Sequence, residues 1–401
     1  MKHNNEEQKI KESFQSKFIY ILFAIALFIY LLVFTIESST YSFQITNLPI
    51  SKIYLFSIGV ITVLGVFSLK NMTHFELLLF MLGYIVGILS YIFSHNLFGL
   101  ICISIAFYSK EKNLKKIVQI YFWLIFFDLF FVIFSYFFNI IPAVSYTRDN
   151  FMSRASWGFL HPNTLALYIL ALNIAFYFIR SFNKISFRDI WFAAISLYIT
   201  YFYPHSYTVA IILSSIIVFV TISSNKKKRN LKNKSIRLFK KYTFFKPLLV
   251  SLIVLLLCLL VIFVSRNSYN SFVSVLGTTI ASRLLMGNLG LKMYGVSFLG
   301  QPVKFSDSSY IVLNNAYSLS YFTVDSLYIK LLINDGLAVE IMFLIIMLSA
   351  IVRSMETNKL IFLLLLGLLV YSIFETGLSS PILSFVFGYA FSKIESERKI
   401  G

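Results

Sequence analysis

Residues 117–138 read IVQIYFWLIFFDLFFVIFSYFF, and this run decides the class of fold. Its single charged residue is Asp128, and a helix of about 20 such residues crosses the roughly 30 Å hydrocarbon layer of a bilayer. Similar runs recur along the whole 401-residue chain, which is 58% hydrophobic and 13% charged. They do not alternate polar and apolar residues as membrane β-strands do. The sequence therefore predicts an all-α polytopic membrane protein.

The apolar runs predict about 12 transmembrane helices in a single integral-membrane domain, residues 1–401. The first run is too long for a cleavable signal peptide, lacks a small-residue cleavage site and is followed directly by further spans. Cys102 and Cys258 both lie inside apolar runs, which favours neither a disulfide nor a metal site. The expected spans are 18–36, 51–69, 75–93, 96–109, 116–139, 163–180, 189–203, 206–223, 247–265, 326–350, 359–376 and 380–393.

Charged residues divide the connections between these spans into two alternating sets. One set carries about three times as many lysines and arginines as the other, so we expect it to face the cytoplasm together with both termini. It includes the N-terminal tail, residues 1–17, and the basic loop 224–246. The formal net charge of +18 therefore indicates contact with anionic membrane lipids and not with nucleic acid.

Four arginines lie against this bias, in connections that we expect to face outward. They are Arg148, Arg154, Arg266 and Arg283. Few carboxylates accompany them, and a guanidinium fork matches the oxygens of a phosphate or carboxylate. We therefore expect these arginines to bind an external anion.

The outer loop 140–162 brings Arg154 and His161 to the start of the sixth span. Pro162 and Asn163 suit the first turn of a helix, and the simplest interpretation is a helix start alone. A helix start alone would not explain why Arg154 and His161 lie in this loop. A helix N-terminus attracts anions, and a histidine with an ordinary pKa can act as a general base. The pattern therefore favours a functional site here.

The longest connection is the outer loop 266–325, which is too apolar for a disordered linker. We expect it to fold against the membrane and to form a binding element. Leucines after Arg283 predict a short helix. Asp325 is expected to cap the next helix, with binding to a cationic side chain or a sugar hydroxyl as alternatives. Polar residues 334–336 indicate a break in the tenth span.

Two further carboxylates, Asp128 and Glu375, lie deep in apolar runs. Such residues usually face the interior of a helix bundle, and one structural hydrogen bond each is the simplest role, with an ion or proton site as the alternative. The chain has no P-loop, no His-Glu-x-x-His and no Gly-x-Ser-x-Gly segment. We therefore expect no metal and no cofactor.

Three segments resemble those of the Wzy-type polysaccharide polymerases, within the O-antigen ligase and polymerase group of membrane glycosyltransferases. Residues 158–164 resemble the family's Gly-x-x-His-Pro-Asn segment. Ser282-Arg283 with Gly300 resembles its outer-loop arginine and glycine, and residues 324–328 with 335–337 resemble its aspartate–aromatic segment. The architecture of about 12 spans with one large outer loop extends the resemblance over nearly the whole chain.

The resemblance implies a multi-pass enzyme of the bacterial cytoplasmic membrane. It would transfer a growing glycan from undecaprenyl pyrophosphate to the non-reducing end of another lipid-linked repeat unit, as in capsule, exopolysaccharide or O-antigen synthesis. Implied partners are membrane lipids, a chain-length regulator or a flippase. His161, Arg154 and Arg283 would be catalytic. Substrate binding would fall to Arg148, Asn163, Arg266, Asp325 and Tyr328.

Two other functions remain open at this stage. A ligase would perform the same chemistry and transfer finished glycan to a terminal acceptor. A transporter or flippase of lipid-linked or anionic cargo would use Asp128 and Glu375 as coupling sites, although the two halves show no repeat of the kind on which many transporter folds are built.

Overall fold

The structure, a computed structural model, describes residues 2–45, 48–67, 72–110, 112–144, 146–148, 152–182, 186–225, 278–306 and 322–392, with isolated positions between 252 and 263. Among the described residues, five helices are long and apolar enough to cross a membrane: Lys17–Ser38, His74–Ser94, Leu114–Phe137, Pro162–Ser181 and Leu337–Met355. Five further apolar helices, of 10–17 residues, are Ile50–Val66, Phe98–Ser109, Tyr207–Thr221, Lys359–Phe374 and Pro381–Ala390. The helical membrane class is thus supported, while the number of crossings stays a prediction.

Helices make up most of the described chain. In order they are α1 Lys2–Ser38, α2 Ile50–Val66, α3 His74–Ser94, α4 Phe98–Ser109, α5 Leu114–Phe137, α6 Pro162–Ser181, α7 Ile190–Phe202, α8 Tyr207–Asn225, α9 Thr278–Tyr294, α10 Leu327–Lys330, α11 Leu337–Thr357 and α12 Lys359–Phe374. A π-helical turn, Leu331–Asp335, continues α10. The 3₁₀ helices are Thr40–Phe43, Phe187–Asp189, Gly377–Ser379 and Pro381–Ala390. Strands β1 Tyr146–Arg148 and β2 Met152–Arg154 form an antiparallel hairpin between α5 and α6.

Most predicted spans coincide with helices, with three differences. The helix of the first span begins at Lys2, so the segment expected as an N-terminal tail is helical. Most of the predicted span 247–265 lies outside the described residues. The predicted span 326–350 is not one continuous helix: it is divided at Gly336, where the polar residues indicated a break.

Two helices form the centre of the bundle. Every residue of α4 is buried. In α6, 78% of an apolar 18-residue stretch is buried. Both helices are apolar on all sides, as expected for helices surrounded by protein. By contrast, α5 turns Trp123, Phe127 and Phe130 outward, with more than half of each side chain exposed. The N-terminus of α6, with His161 before it, therefore lies at the middle of one end of the bundle.

Hydrogen bonds between connections indicate which of them lie at the same end of the bundle. At one end Thr40 donates from its backbone N to the Gly158 carbonyl, and Ala155 donates to the Tyr203 carbonyl. At the other end Asn358 donates to the Ser181 carbonyl, and the backbone N of Asn113 donates to the Tyr20 hydroxyl. Each of these four contacts joins segments that the charge bias places in the same set. The compartment that each set faces stays a prediction.

The break before α11 depends on two glycines in contact. Gly336 has φ +94° and Gly300 has φ +103°, a backbone region that side chains rarely tolerate. A Cβ on Gly300 would lie 2.7 Å from the Asn334 carbonyl oxygen. The loop after α9 therefore packs directly on the break, which holds α9 beside α10.

Candidate functional site

The β1–β2 hairpin places Tyr146 and Arg154 opposite each other, since they are partners in its register. Tyr146 donates a hydrogen bond from its hydroxyl to the Leu160 carbonyl. Its ring lies edge-on to the His161 imidazole, with 5.2 Å between ring centroids. The hairpin therefore carries Arg154 toward the N-terminus of α6, and Tyr146 is a site residue that the sequence did not single out.

His161 is the N-cap of α6, and its Nδ1 accepts a hydrogen bond from the backbone N of Asn163 at 3.1 Å. A neutral imidazole that accepts through Nδ1 carries its proton on Nε2. Burial, together with the positive charges of Arg154 and Arg283, lowers the pKa of His161 to about 4. In this arrangement His161 is positioned to donate through Nε2, and its expected role as a general base stays a prediction.

Arg154 is held by two contacts. Its Nε donates to the Pro204 carbonyl at 2.7 Å, and its Nη2 donates to Oδ1 of Asn163 at 2.6 Å. Asn163 therefore links two of the three expected catalytic residues: it binds Arg154 through its side chain and His161 through its backbone. This places Asn163 as a positioning residue rather than the direct substrate ligand that the resemblance implies.

Arg283 extends from α9 to the C-terminal end of α12. Its Nη1 donates to the Phe374 carbonyl at 2.6 Å, and its Nη2 pairs with Oε1 of Glu375 at 2.9 Å. Its Nε lies 3.3 Å from Oδ2 of Asp325. A guanidinium has five N–H donors, so Nη1 and Nη2 retain capacity for another acceptor.

Two carboxylates thus surround Arg283. Burial raises the pKa of Asp325, although Arg283 and Lys330 oppose the shift. Glu375 accepts a further hydrogen bond from the Thr208 hydroxyl at 2.9 Å. The region is therefore an ion-pair network that includes acids, which differs from the expected clamp made of arginines alone.

The expectation that Asp325 caps the next helix is wrong. The N-cap of α10 is Ser326, which makes no side-chain capping bond, whereas the Asp325 carboxylate pairs with Arg283. Of the alternatives considered, binding to a cationic side chain is the observed one. The side chain of Asp325 is 30% exposed, so it remains accessible to a ligand.

Of the other expected site residues, Tyr328 is the one whose side chain lies among the described residues. Tyr328 is 1% exposed, and its hydroxyl donates to the Leu369 carbonyl at 2.9 Å, which favours a role in packing. Arg148 lies on β1 opposite Met152, and only its backbone is described. Arg266 lies outside the described residues.

A cleft of about 430 Å³ adjoins Arg154. Its walls carry the aromatic rings of Tyr136, Trp157, Phe202 and Tyr203. Trp157 and Tyr203 pack with 4.8 Å between ring centroids. The cleft is thus aromatic on its walls and positively charged at Arg154. The sequence signal that could have identified it is Trp157, a bulky residue directly before Gly158 in a predicted outer loop.

Arg154 and Arg283 both act electrostatically on His161. The positive charges of Arg154 and Arg283 both lower the pKa of His161, although they belong to a hairpin and to α9. Of the three residues expected to be catalytic, Arg154 and His161 are linked through Asn163. In the part of the chain that the structure describes, no group of three His, Cys, Asp or Glu residues could hold a metal ion.

No family model, no curated protein and no solved structure matches this chain. Its function is therefore argued from the geometry of the site.

Proposed function

We propose that this protein is a membrane glycosyltransferase that polymerises lipid-linked oligosaccharide repeat units. The observation that carries the proposal is the link from Arg154 through Asn163 to His161, beside an aromatic cleft that Arg154 lines. Donors and positive charge suit a pyrophosphate leaving group, and aromatic walls suit the apolar face of a sugar ring or of a polyprenyl chain. The predicted topology assigns this end of the bundle to the outer leaflet of the bacterial cytoplasmic membrane.

The reaction joins the sugar of one lipid-linked chain to a hydroxyl of another. The acceptor oxygen forms a bond to the anomeric carbon while the bond from that carbon to the pyrophosphate oxygen breaks. Arg154, Arg283 and the Nε2–H of His161 would stabilise the charge that develops on the undecaprenyl pyrophosphate. The acceptor proton would pass to Asp325, whose partly exposed carboxylate lies against Arg283.

The test uses purified protein and lipid-linked repeat units extracted from cells that lack this protein. Wild type should convert them to polymer without an ion gradient. Arg283→Ala and His161→Ala should leave single units on the lipid, with at least about a hundredfold less polymer, the effect expected for loss of an oxyanion donor. Arg180→Ala is the matched control, because Arg180 forms a comparable pair with Asp189 at the other end of the bundle, with Nε and Oδ1 3.0 Å apart.

Polymer of normal length from both site variants would reject the assignment of these residues. Products attached to a terminal acceptor instead of to the lipid would identify a ligase. In either case the folded fraction is checked by thermal unfolding in detergent.

One observation favours transport as the second candidate. The break at Gly336 places Asp335 in a buried position, 1% exposed, and discontinuous helices with buried polar groups form the substrate sites of many transporters. Uptake of lipid-linked units into vesicles that form no polymer would favour this alternative over the polymerase.

A further inference from the structure

A second cavity lies between α1 and α5, at the other end of the bundle from Arg154. It is a groove of about 730 Å³. Its lining residues are Lys17, Tyr20 and Ile21 of α1, with Lys116, Gln119, Ile120, Trp123 and Leu124 of α5. None of these described lining residues is acidic. The groove therefore combines positive charge with an apolar wall and is independent of the proposed catalytic site.

The charged part of the groove is held in place by Tyr20. The ammonium of Lys116 lies 5.5 Å from the centroid of the Tyr20 ring, a cation–π geometry. The Tyr20 hydroxyl accepts a hydrogen bond from the backbone N of Asn113 at 3.1 Å, which ties the ring to the start of α5. Lys17, which is exposed, supplies the second ammonium. The two charges are thus presented by different helices to one cavity.

The apolar part of the groove begins one to two helical turns deeper. Trp123 follows Lys116 by two turns, or about 10 Å along the helix axis. Its indole is 54% exposed, and Phe127 and Phe130 continue the same outward face with 57% and 58% exposure. A ligand that fits this arrangement has an anionic head and a long apolar tail aligned with the helices.

We propose that this groove binds one anionic glycerophospholipid. The phosphate would lie between the ammonium groups of Lys17 and Lys116, where charge-assisted hydrogen bonds are strong. One acyl chain would lie along Ile120 and Trp123. Basic pockets between membrane helices bind anionic headgroups in this way, and the groove lies at the end that the charge bias assigns to the cytoplasm. The lipid joins α1 to α5 and stabilises the pair.

The test measures lipid binding to the full-length protein in nanodiscs of phosphatidylcholine with added phosphatidylglycerol. Lys17→Gln with Lys116→Gln should weaken the retention of phosphatidylglycerol at least tenfold. The matched control is Arg188→Gln with Lys359→Gln, which removes the same charge from exposed positions at the same end of the bundle and should change retention less than twofold. Equal losses in both double variants would overturn the proposal.

Two further measurements identify the source of the phosphate, and they do not depend on the double lysine variant. Excess inorganic phosphate should not displace the lipid, and full displacement would overturn the assignment to a phospholipid. In the folded wild type, phosphatidylglycerol brominated on its acyl chains should quench Trp123 more than brominated phosphatidylcholine does. The fluorescence of Trp123 is obtained as the difference between the wild-type signal and the signal of a Trp123→Phe variant. Equal quenching by the two lipids would also overturn the proposal.

Discussion

Arg283 pairs with Glu375, with 2.9 Å between Nη2 and Oε1, although Glu375 lies 92 positions later in the chain. The pair joins the loop helix α9 to the end of α12, and Asp325 completes it from the start of α10. Both side chains of the pair are mostly buried, at 21% and 13% exposure. Removing one partner of a buried pair leaves the other charge uncompensated, which costs more than the pair contributes.

We therefore predict that Arg283→Lys distinguishes the positive charge at residue 283 from the geometry of its side-chain contacts. Lysine keeps the positive charge but cannot bind two carboxylates and the Phe374 carbonyl at once, because it lacks the planar fork. Polymer formation should fall at least tenfold, and the melting temperature should fall as well. Arg180→Lys at the opposite end tests whether any buried arginine gives this result. Activity within twofold of wild type for Arg283→Lys would contradict the bridging role.

A second prediction concerns the pH dependence of stability. The pKa of His161 is lowered to about 4 in the folded protein, below the value near 6.5 that it has when unfolded. The unfolded chain therefore binds the proton more readily, and folding is favoured fully above about pH 6.5 and progressively less down to about pH 4. Wild type should lose more stability than His161→Gln between these pH values. Equal losses in thermal unfolding would show that His161 does not contribute.

A third prediction distinguishes a hydrogen-bond donor from a general base at residue 161. If the Nε2–H of His161 donates to the leaving group, glutamine can donate in its place, since its side chain has an N–H group. His161→Gln should therefore retain at least about tenfold more polymer formation than His161→Ala. Equal and complete loss in both variants would favour proton transfer by the imidazole.

The aromatic cleft yields a fourth prediction. Trp157→Ala should raise the KM for the lipid-linked unit by about tenfold, the effect of losing one stacked ring, while kcat changes less than twofold. Trp157→Phe should restore most of the affinity. Trp191→Ala is the control, because Trp191 lies at the start of α7 with 64% of its side chain exposed. A loss of kcat alone would place Trp157 in the reaction step instead of in binding.

The fifth prediction concerns the broken helix. Gly336→Ala should sharply reduce the yield of folded protein, because a side chain at φ +94° is strained and would overlap the backbone at Gly300. Gly59→Ala in α2 is the matched control, since a Cβ there meets no atom within 4 Å. That control should be neutral or stabilised by up to about 1 kcal/mol. Similar yields for both variants would show that the break tolerates side chains.

Much of the fold was predictable from the chain alone. Long apolar runs must bury their backbone groups in helices, so the positions of α2 to α8 and of the apolar part of α1 followed from hydropathy. The break at Gly336 was also indicated, because polar residues next to a glycine are unfavourable inside a continuous span. At the site, Arg154 and His161 stood out, since charged groups in a membrane protein need a partner or a ligand.

Only the tertiary structure decided what these residues contact. No periodicity connects Arg283 to Glu375 or Tyr146 to His161, because such contacts depend on how distant helices pack. The sequence suggested a cap for Asp325, a base for His161 and a clamp of arginines. Packing instead turned Asp325 toward Arg283, and hydrogen bonding at the N-terminus of α6 committed Nδ1 of His161 to the backbone. Local patterns set which segments are helical, whereas long-range packing sets which charges meet.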